Sequence, residues 1–150
     1  MSNINEFAAN IQYKGSFIAE FKIKNELVVL GSDAHFGGDV SVEVSTIYYN
    51  EQRTEKLGRV RMTIDGTVLL DGKENPSCSY HLVLIGEFAS RMDISDEEFN
   101  SLLWANGSTA LYGIARAKLE TMSSIVLKNG KIVLPMINII ELLKNQFSEN

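Results

Sequence analysis

The residues of this sequence that are able to bind a metal ion lie in one short polar stretch. Asp33, His35 and Asp39 stand among glycines, and carboxylate and imidazole groups are common metal ligands. A metal site needs further ligands at a matching spacing, yet no second histidine and no cysteine stand near this stretch. We interpret it as an ordinary loop, and it remains the one candidate site for a small enzyme or ligand-binding protein.

Residues suited to nucleophilic attack or phosphate binding are also badly placed. Cys78 and His81 are three positions apart, a spacing that directs the two side chains to opposite faces of a strand. The glycines Gly66 and Gly72 lack the spacing of a phosphate loop, and Glu74 stands where such a loop has a metal-binding hydroxyl. The sequence therefore predicts a protein that is not an enzyme and that uses no metal and no cofactor.

Length and composition indicate one folded domain over residues 1–150. The 150 residues are 45% hydrophobic and 22% charged, with a formal net charge of −5. This charge repels nucleic acid and anionic membranes, so we expect neither as a partner. The first residues lack the features of a secretory signal, no run of about 18 apolar residues occurs, and a single cysteine forms no intrachain disulfide. These features predict a cytoplasmic protein.

The first two thirds of the chain alternate apolar and polar residues, which is the pattern of strands with one covered face. Four strands are predicted, with a bulge at Lys14-Gly15 in the first and a bend at Gly66 in the third. Turn-forming residues between the strands favour antiparallel neighbours. The fourth strand carries apolar Val83 and Ile85 opposite its main apolar face, so we expect it to be covered on both sides. The four strands span residues 11–24, 39–49, 59–70 and 80–88.

The last third of the chain changes to a helical period. Ser95 and Glu98 form a capping box that predicts a helix start, and Asn106-Gly107-Ser108 is expected to end this short helix. Two further helices are predicted, one from near Thr109 to Asn129-Gly130 and one over residues 137–147. Strands followed by helices predict an α+β fold, with a four-stranded antiparallel sheet and with a long helix and a C-terminal helix packed on one face.

Two features of the helices leave alternatives open. The long helix has a flank of small residues, which either lets a second copy of the helix approach or fits the helix tightly onto its own sheet. The final helix is apolar around more than one stripe, so it either contacts two surfaces or leaves one side open. The small residues are Ala110, Gly113, Ala117, Ser123 and Ser124, and the apolar ones are Ile139, Ile140, Leu142 and Leu143.

Three segments in the second half of the chain resemble the SecB family of export chaperones. They are Gly86-Glu87-Phe88, residues 111–116 in the long helix, and residues 133–138, where an apolar run is followed by proline and asparagine. Two departures are visible. Gly113 stands where the family usually has a proline, and the C-terminal tail of the family has no counterpart after Phe147.

The resemblance implies an assembly and a set of client-binding residues. In this family the long helices pack between two sheets of a dimer of dimers, which implies a homotetramer. Unfolded clients lie in apolar grooves bordered by the second strand, the loop before it, and the last helix with its preceding segment. The implied interface residues are Leu111, Ala115, Leu119 and Met122, and the implied client-binding residues are Phe36, Ile47, Tyr49, Ile132, Leu134, Ile137 and Ile140. Taken singly, each client-binding residue also suits an ordinary core position.

The resemblance further implies a docking site for the SecA motor ATPase on acidic residues of the sheet. Glu20 and Glu74 keep an acidic residue at two of these positions, whereas Ser16 replaces an acidic residue and Gly72 an apolar one. Solvated surface charge is the alternative interpretation of Glu20 and Glu74.

The favoured function is an ATP-independent holdase that binds unfolded polypeptides in apolar grooves, and the resemblance extends this role to protein export. One alternative is a dedicated chaperone of a single partner, such as an antitoxin. The other is a small α+β ligand-binding protein or enzyme that uses the stretch around Asp33, His35 and Asp39.

Overall fold

The computed structural model describes residues 3, 5, 9–26 and 34–149, so Asp33 lies outside the described residues. Within them the strands come first and the helices last, and the predicted α+β class is confirmed. The strands are β1 Gln12–Asn25, β2 Ala34–Val44, β3 Tyr48–Tyr49, β4 Glu55–Leu70 and β5 Cys78–Arg91. The helices are α1 Asp96–Leu102, α2 Ser108–Val126 and α3 Ile139–Ser148, with a π-helical turn over Leu103–Gly107 between α1 and α2.

The five strands form one antiparallel sheet in the order β1-β5-β4-β2, and the short strand β3 pairs with β4 beyond the end of β2. The second predicted strand is thus divided, because its pairing with β4 stops at Val44 and resumes at Tyr48. The predicted bulge in β1 is confirmed by a shift in its pairing with β5 between Tyr13 and Gly15. Gly15 has a φ of +148°, which residues with a Cβ rarely adopt.

The central strand β5 is covered on both faces, as the sequence predicts. Leu82, Val83 and Leu84 are each exposed by 1% or less. Successive side chains of a strand point to opposite faces, so three buried residues in a row require cover on both sides. Val83 lies on the sheet face opposite the helices, which we call the open face, where its cross-strand neighbours are Glu20 and Thr63.

The first helix begins at the predicted cap, but the predicted break after it is wrong. Ser95 Oγ accepts a hydrogen bond from the Glu98 N–H at 3.1 Å. The chain then stays helical through the π-helical turn into α2, and Gly107 has helical φ and ψ angles of −60° and −47°. A Cβ at Gly107 would lie 3.1 Å from Val60 Cγ2. This glycine therefore lets the helical layer approach β4 closely instead of ending the helix.

The apolar stripe of α2, which contains the predicted interface residues, packs against the chain's own sheet, and the oligomer interface stays a prediction. Leu111, Ala115 and Leu119 are fully buried in the single chain, and Met122 is half-buried. Leu111 lies over Gly86 of β5, since a Cβ at that glycine would be 2.8 Å from Leu111 Cδ1. A side chain without exposed surface has none to offer a second copy. The outward face of α2 is instead formed by small residues, namely Ala110, Gly113 and Ala117.

The final helix α3 starts two residues later than predicted, because Asn138 is its N-cap. The Asn138 Oδ1 accepts a hydrogen bond from the Glu141 N–H at 3.2 Å. Ile139 and Leu143 are buried, whereas Ile140 is 45% exposed, so α3 presents apolar side chains in two directions. None of the helices in the described part of the chain combines the length and apolar character needed to cross a membrane.

Substitution of Leu119 tests its placement in the core of the single chain. Leu119→Ala is expected to lower the free energy of unfolding by about 2–5 kcal/mol, because it leaves a cavity under α2. Ile125 lies in the same helix and is 80% exposed, so Ile125→Ala is the matched control and should change stability by about 0.5 kcal/mol or less. Urea unfolding of both variants measures the difference, and equal stability of the two would show that Leu119 does not belong to this core.

Candidate functional site

A small apolar pocket opens on the helix-covered side of the sheet, between β2 and the segment that precedes α3. Its volume is about 190 Å³. Three predicted client-binding residues, Phe36, Leu134 and Ile137, lie in its walls. We call it the groove pocket, and its other lining residues are Gly37, Gly38, Asp39, Val40, Ile64, Tyr80, Tyr112 and Pro135. The sequence resemblance thus identifies three residues that the fold brings together from distant parts of the chain.

The segment over residues 127–138 has no regular secondary structure of its own and is held in place by hydrogen bonds to α2. The Tyr112 hydroxyl donates to the Pro135 carbonyl at 2.6 Å, and Arg116 Nε donates to the Leu134 carbonyl at 3.0 Å. Further back, the Ile132 N–H donates to Ser123 Oγ at 2.7 Å. These three bonds fix the distance between the segment and the sheet, and the groove pocket is the space between the two.

The remaining predicted client-binding residues have different positions. Ile140 lies one turn beyond Ile137 and is exposed, so it extends the apolar surface away from the pocket. Ile132 is fully buried in the core of the single chain, so its role in client binding stays a prediction. Tyr49 pairs with Lys56, whereas Phe36 pairs with Val68. At about 3.3 Å per residue these two places on β4 are roughly 40 Å apart.

Ile47 and Tyr49 therefore lie away from the groove pocket. Ile47 is half-buried against the core, next to the gap between β2 and β3. Tyr49 is 37% exposed, and the Arg53 guanidinium lies over its ring at 5.2 Å from the centroid. The structure joins neither of them to Phe36.

The edge of β2 beside the pocket is paired with a side-chain amide. Gln146 of α3 accepts a hydrogen bond from the Val42 N–H at 3.1 Å and donates one to the Val42 carbonyl at 2.9 Å. Backbone groups of alternate residues point the same way in an antiparallel strand, so those of Phe36, Gly38 and Val40 point to this edge. No described residue forms a hydrogen bond with them there. The edge thus accepts a peptide-like amide at Val42 and offers further donors and acceptors beside the pocket.

Two pocket residues that the sequence resemblance missed are Tyr80 and Tyr112. Strand alternation places Tyr80 on the covered face, but its position in the pocket depends on how β5 and β2 are paired in register with β4. Gly66 pairs with Tyr80 on one side and with Gly38 on the other. A Cβ at Gly66 would lie 2.1 Å from the Tyr80 Cζ and hydroxyl oxygen, so the ring lies across the glycine. The β4 strand keeps its pairing through Gly66, where the sequence predicts a bend.

The open face of the sheet carries a charged cluster around His81. The His81 Nδ1 is 2.5 Å from Asp65 Oδ1, and its Nε2 is 3.2 Å from Glu20 Oε2. These hydrogen bonds, that to Asp65 first, favour the doubly protonated ring and raise the pKa of His81 above 6.5. The bond to His81, and then Lys22 at 3.5 Å, lower the pKa of Glu20. Glu20 is thus engaged within the chain.

The other predicted docking residue, Glu74, is exposed in the turn between β4 and β5 and forms no ion pair with a described residue. A hollow of about 630 Å³ has Lys24, Asp39 and Asp65 among its lining residues, together with His81. This part of the open face is therefore charged, in contrast to the groove pocket on the other side.

The stretch that the sequence offers as a metal or enzyme site does not assemble one among the described residues. The Nε2 atom of His35, on β2, lies 2.5 Å from the Oδ1 atom of Asp71, which directly follows β4. Residues 9–26 and 34–149 contain no group of three or more histidine, cysteine, aspartate or glutamate side chains that is arranged to hold a metal ion. Asp33 lies outside the described residues.

The His81 cluster predicts a pH-dependent contribution to stability. Because folding raises the pKa of His81, its ion pairs stabilise the fold below the unfolded pKa of about 6.5 and are lost as the pH rises through the folded value. The stability difference between the wild type and His81→Gln should therefore be largest near pH about 6 and should shrink toward pH about 8.5. Urea unfolding at a series of pH values measures it, and a difference that grows with pH would contradict the assignment.

Comparison with known proteins gives matches of structure alone. No protein-family model matches the chain, and no curated protein matches its sequence. The structure is similar to a SecB-like chaperone of Mycobacterium tuberculosis in complex with a ChAD peptide from the HigA1 antitoxin, with a TM-score of 0.59 and 12% identity over 89% of this chain and 94% of that chain. A protein of unknown function from Streptococcus agalactiae gives a TM-score of 0.45 and 11% identity over 86% of this chain and 100% of that chain. The first likeness shows that this chain has the fold of a SecB-like chaperone.

Proposed function

We propose that this chain is an ATP-independent holdase chaperone that binds unfolded polypeptide in the groove pocket and along the neighbouring edge of β2. The observation that carries the proposal is the apolar pocket beside backbone groups of Phe36, Gly38 and Val40 that no described residue bonds. An unfolded chain exposes apolar side chains and free peptide groups, so it is complementary to both features. The fold shared with a SecB-like chaperone supports this function.

Binding of this kind needs no chemical reaction and no nucleotide. Burial of apolar surface is non-directional, so one pocket accepts many sequences. Hydrogen bonds along a strand edge use the peptide group, which every client has. A client held in this way is withdrawn by mass action from aggregation and premature folding. The protein is accordingly proposed to be non-enzymatic and to work without a cofactor.

The proposed assembly is a homotetramer that is built as a dimer of dimers and brings several grooves together. The outward face of α2 favours it, because Ala110, Gly113 and Ala117 let another helix approach closely. A Cβ at Gly113 would meet no atom within 4 Å, so this face is open in the single chain. Several weak sites on one particle hold a long client more firmly than one site does.

The proposed setting is the cytoplasm, with unfolded proteins as partners and with no role in binding nucleic acid or membranes. Docking of the SecA motor ATPase on the open face is the finer proposal. It is weakened by the geometry of Glu20, because this carboxylate already binds His81 and Lys22. Removal of Glu74, which has no such partner, is therefore the sharper test of SecA binding.

A dedicated chaperone of one partner is the second candidate. The observation that favours it is that the SecB-like neighbour was solved with a peptide from an antitoxin. Capture of partners from cell extract separates the two candidates, since a general holdase retains many unrelated proteins and a dedicated one retains a single partner.

The holdase proposal predicts protection of a denatured client without ATP. Pure protein in several-fold excess should delay the aggregation of a chemically denatured enzyme on dilution, as measured by light scattering. The double variant Phe36→Ser/Ile140→Ser removes two exposed apolar side chains and should weaken client binding about tenfold or more, with little loss of stability.

Met92→Ser is the matched control for this experiment. Met92 is 40% exposed and follows Arg91, which pairs with Glu55 at the far end of the sheet from Phe36. This variant should protect the client as well as the wild type does. If the wild type does not delay aggregation, the proposed holdase function is wrong. If both variants lose client binding equally, the groove pocket is not the binding site.

A further inference from the structure

The groove pocket is lined by one hydroxyl that has no partner among the described residues. Tyr80 is only 4% exposed, and its ring lies across Gly66 with the hydroxyl oxygen above that glycine. No described residue forms a hydrogen bond with this hydroxyl. The oxygen itself keeps contact with solvent, since Ser108 Oγ is the one fully buried side-chain oxygen without a partner in the described part of the chain. A side chain that enters the pocket would take the Tyr80 hydroxyl out of water, and this hydroxyl then needs a partner on the incoming group.

The second tyrosine of the pocket shows the contrast. The Tyr112 hydroxyl is occupied, since it donates to the Pro135 carbonyl at 2.6 Å. Most of the other lining residues are aliphatic or aromatic, among them Phe36, Leu134 and Ile137, and one, Asp39, is charged. Asp39 pairs with Asp65 of the His81 cluster, so strand alternation directs its side chain to the open face. The Tyr80 hydroxyl is thus the hydroxyl of the pocket that has no partner among the described residues. Burial raises the pKa of Tyr80 above 10, so the hydroxyl keeps its proton and is able to donate as well as accept.

The size of the pocket limits what enters it. A volume of about 190 Å³ lies below the roughly 300–1,000 Å³ typical of small-molecule sites, and it suits one side chain. The edge of β2 runs alongside, with Phe36, Gly38 and Val40 in contact with the pocket. A client strand on that edge directs every second side chain to the covered face of the sheet, and so toward this space.

We propose that the groove pocket selects a client side chain that is flat and apolar along its length and carries a hydrogen-bonding group at its end, with tyrosine as the example. The Tyr80 hydroxyl sets this preference, because it forms a hydrogen bond with the group at the end of the client side chain. A phenylalanine fills the same space but leaves the hydroxyl unpaired, which is how a buried polar group discriminates between two similar side chains. The inference rests on the proposed chaperone function.

Two labelled peptides of the same apolar sequence, one with tyrosine and one with phenylalanine at a single central position, test the preference. Fluorescence anisotropy measures their Kd values for the wild type and for Tyr80→Phe, which keeps the ring over Gly66. The wild type should bind the tyrosine peptide about three- to tenfold more tightly, the range expected of one hydrogen bond. In Tyr80→Phe the ratio should fall to about one or below, because the tyrosine peptide loses its hydrogen-bond partner and the phenylalanine peptide no longer leaves a hydroxyl unpaired.

Tyr13→Phe is the matched control, because the Tyr13 hydroxyl is bonded to Ser16 on β1, away from the pocket. It should keep the preference of the wild type. Equal affinity of the wild type for both peptides, or a preference that survives in Tyr80→Phe, would overturn the role of Tyr80 and leave the chaperone function standing. Failure of the wild type to bind either peptide would overturn the chaperone function and, with it, the selective pocket.

Discussion

The groove pocket depends on the hydrogen bonds that attach an irregular segment to α2. Residues 131–138 make no strand or helix, so they have no ladder of their own to fix their position. Their backbone instead forms hydrogen bonds with three side chains of α2, namely Ser123, Arg116 and Tyr112. The order of these three residues shows that the segment runs antiparallel to α2. Because α2 is itself fixed to the sheet by its buried stripe, the segment is held at a set distance from β2. Without these three bonds the pocket would have no second wall.

The sheet separates two kinds of surface. The face that carries the helices is apolar and ends at the groove pocket, while the open face carries ion pairs such as those of His81 with Asp65 and Glu20. Both surfaces share the central strand β5, which has buried residues on each of its two faces. The proposed client binding and the proposed partner docking therefore use different faces of the sheet.

The C-terminal helix has two roles that follow from its two apolar directions. Ile139 and Leu143 anchor it in the core, and the nearby ring contact of Trp104 with Phe147, at 4.9 Å between centroids, holds its far end. Gln146 then reaches β2 and pairs with both backbone groups of Val42. This pairing closes part of a free strand edge, which is a common protection against edge-to-edge aggregation. The rest of the edge, beside the pocket, is the part where we propose that clients bind.

Local patterns predicted the parts of the fold that local physics decides. Alternation located the strands and the two-sided cover at Val83, and the capping residue Ser95 marked the start of α1, whereas the cap at Asn138 was not predicted. The sequence did not predict that β1 and β2 lie at opposite edges, because strand order depends on long-range pairing. Gly107 looked like a helix breaker, since its contact with Val60 is visible only in three dimensions.

Some residues of the candidate site were predicted from the sequence, and others were missed because they meet only through long-range pairing. The resemblance found Phe36, Leu134 and Ile137, which meet at the pocket, but it also included Ile132, whose burial no one-dimensional pattern reveals. The assignment of Leu119 to an interface stays a prediction, because an apolar helical stripe looks the same whether it faces its own sheet or a second copy, and in the single chain Leu119 is buried. Tyr80 was missed because its place over Gly66 depends on the register of three strands.

The central claim is that unfolded polypeptide binds at the groove pocket and not on the open face of the sheet. Methyl-labelled protein titrated with an unfolded client and followed by NMR tests it most directly. If clients bind at the groove pocket, the methyl signals of Val40, Leu134, Ile137 and Ile140 shift, and those of Val83 and Ile85 on the open face stay unchanged. Shifts confined to Val83 and Ile85, or no shift at any methyl group at saturating client, would contradict it.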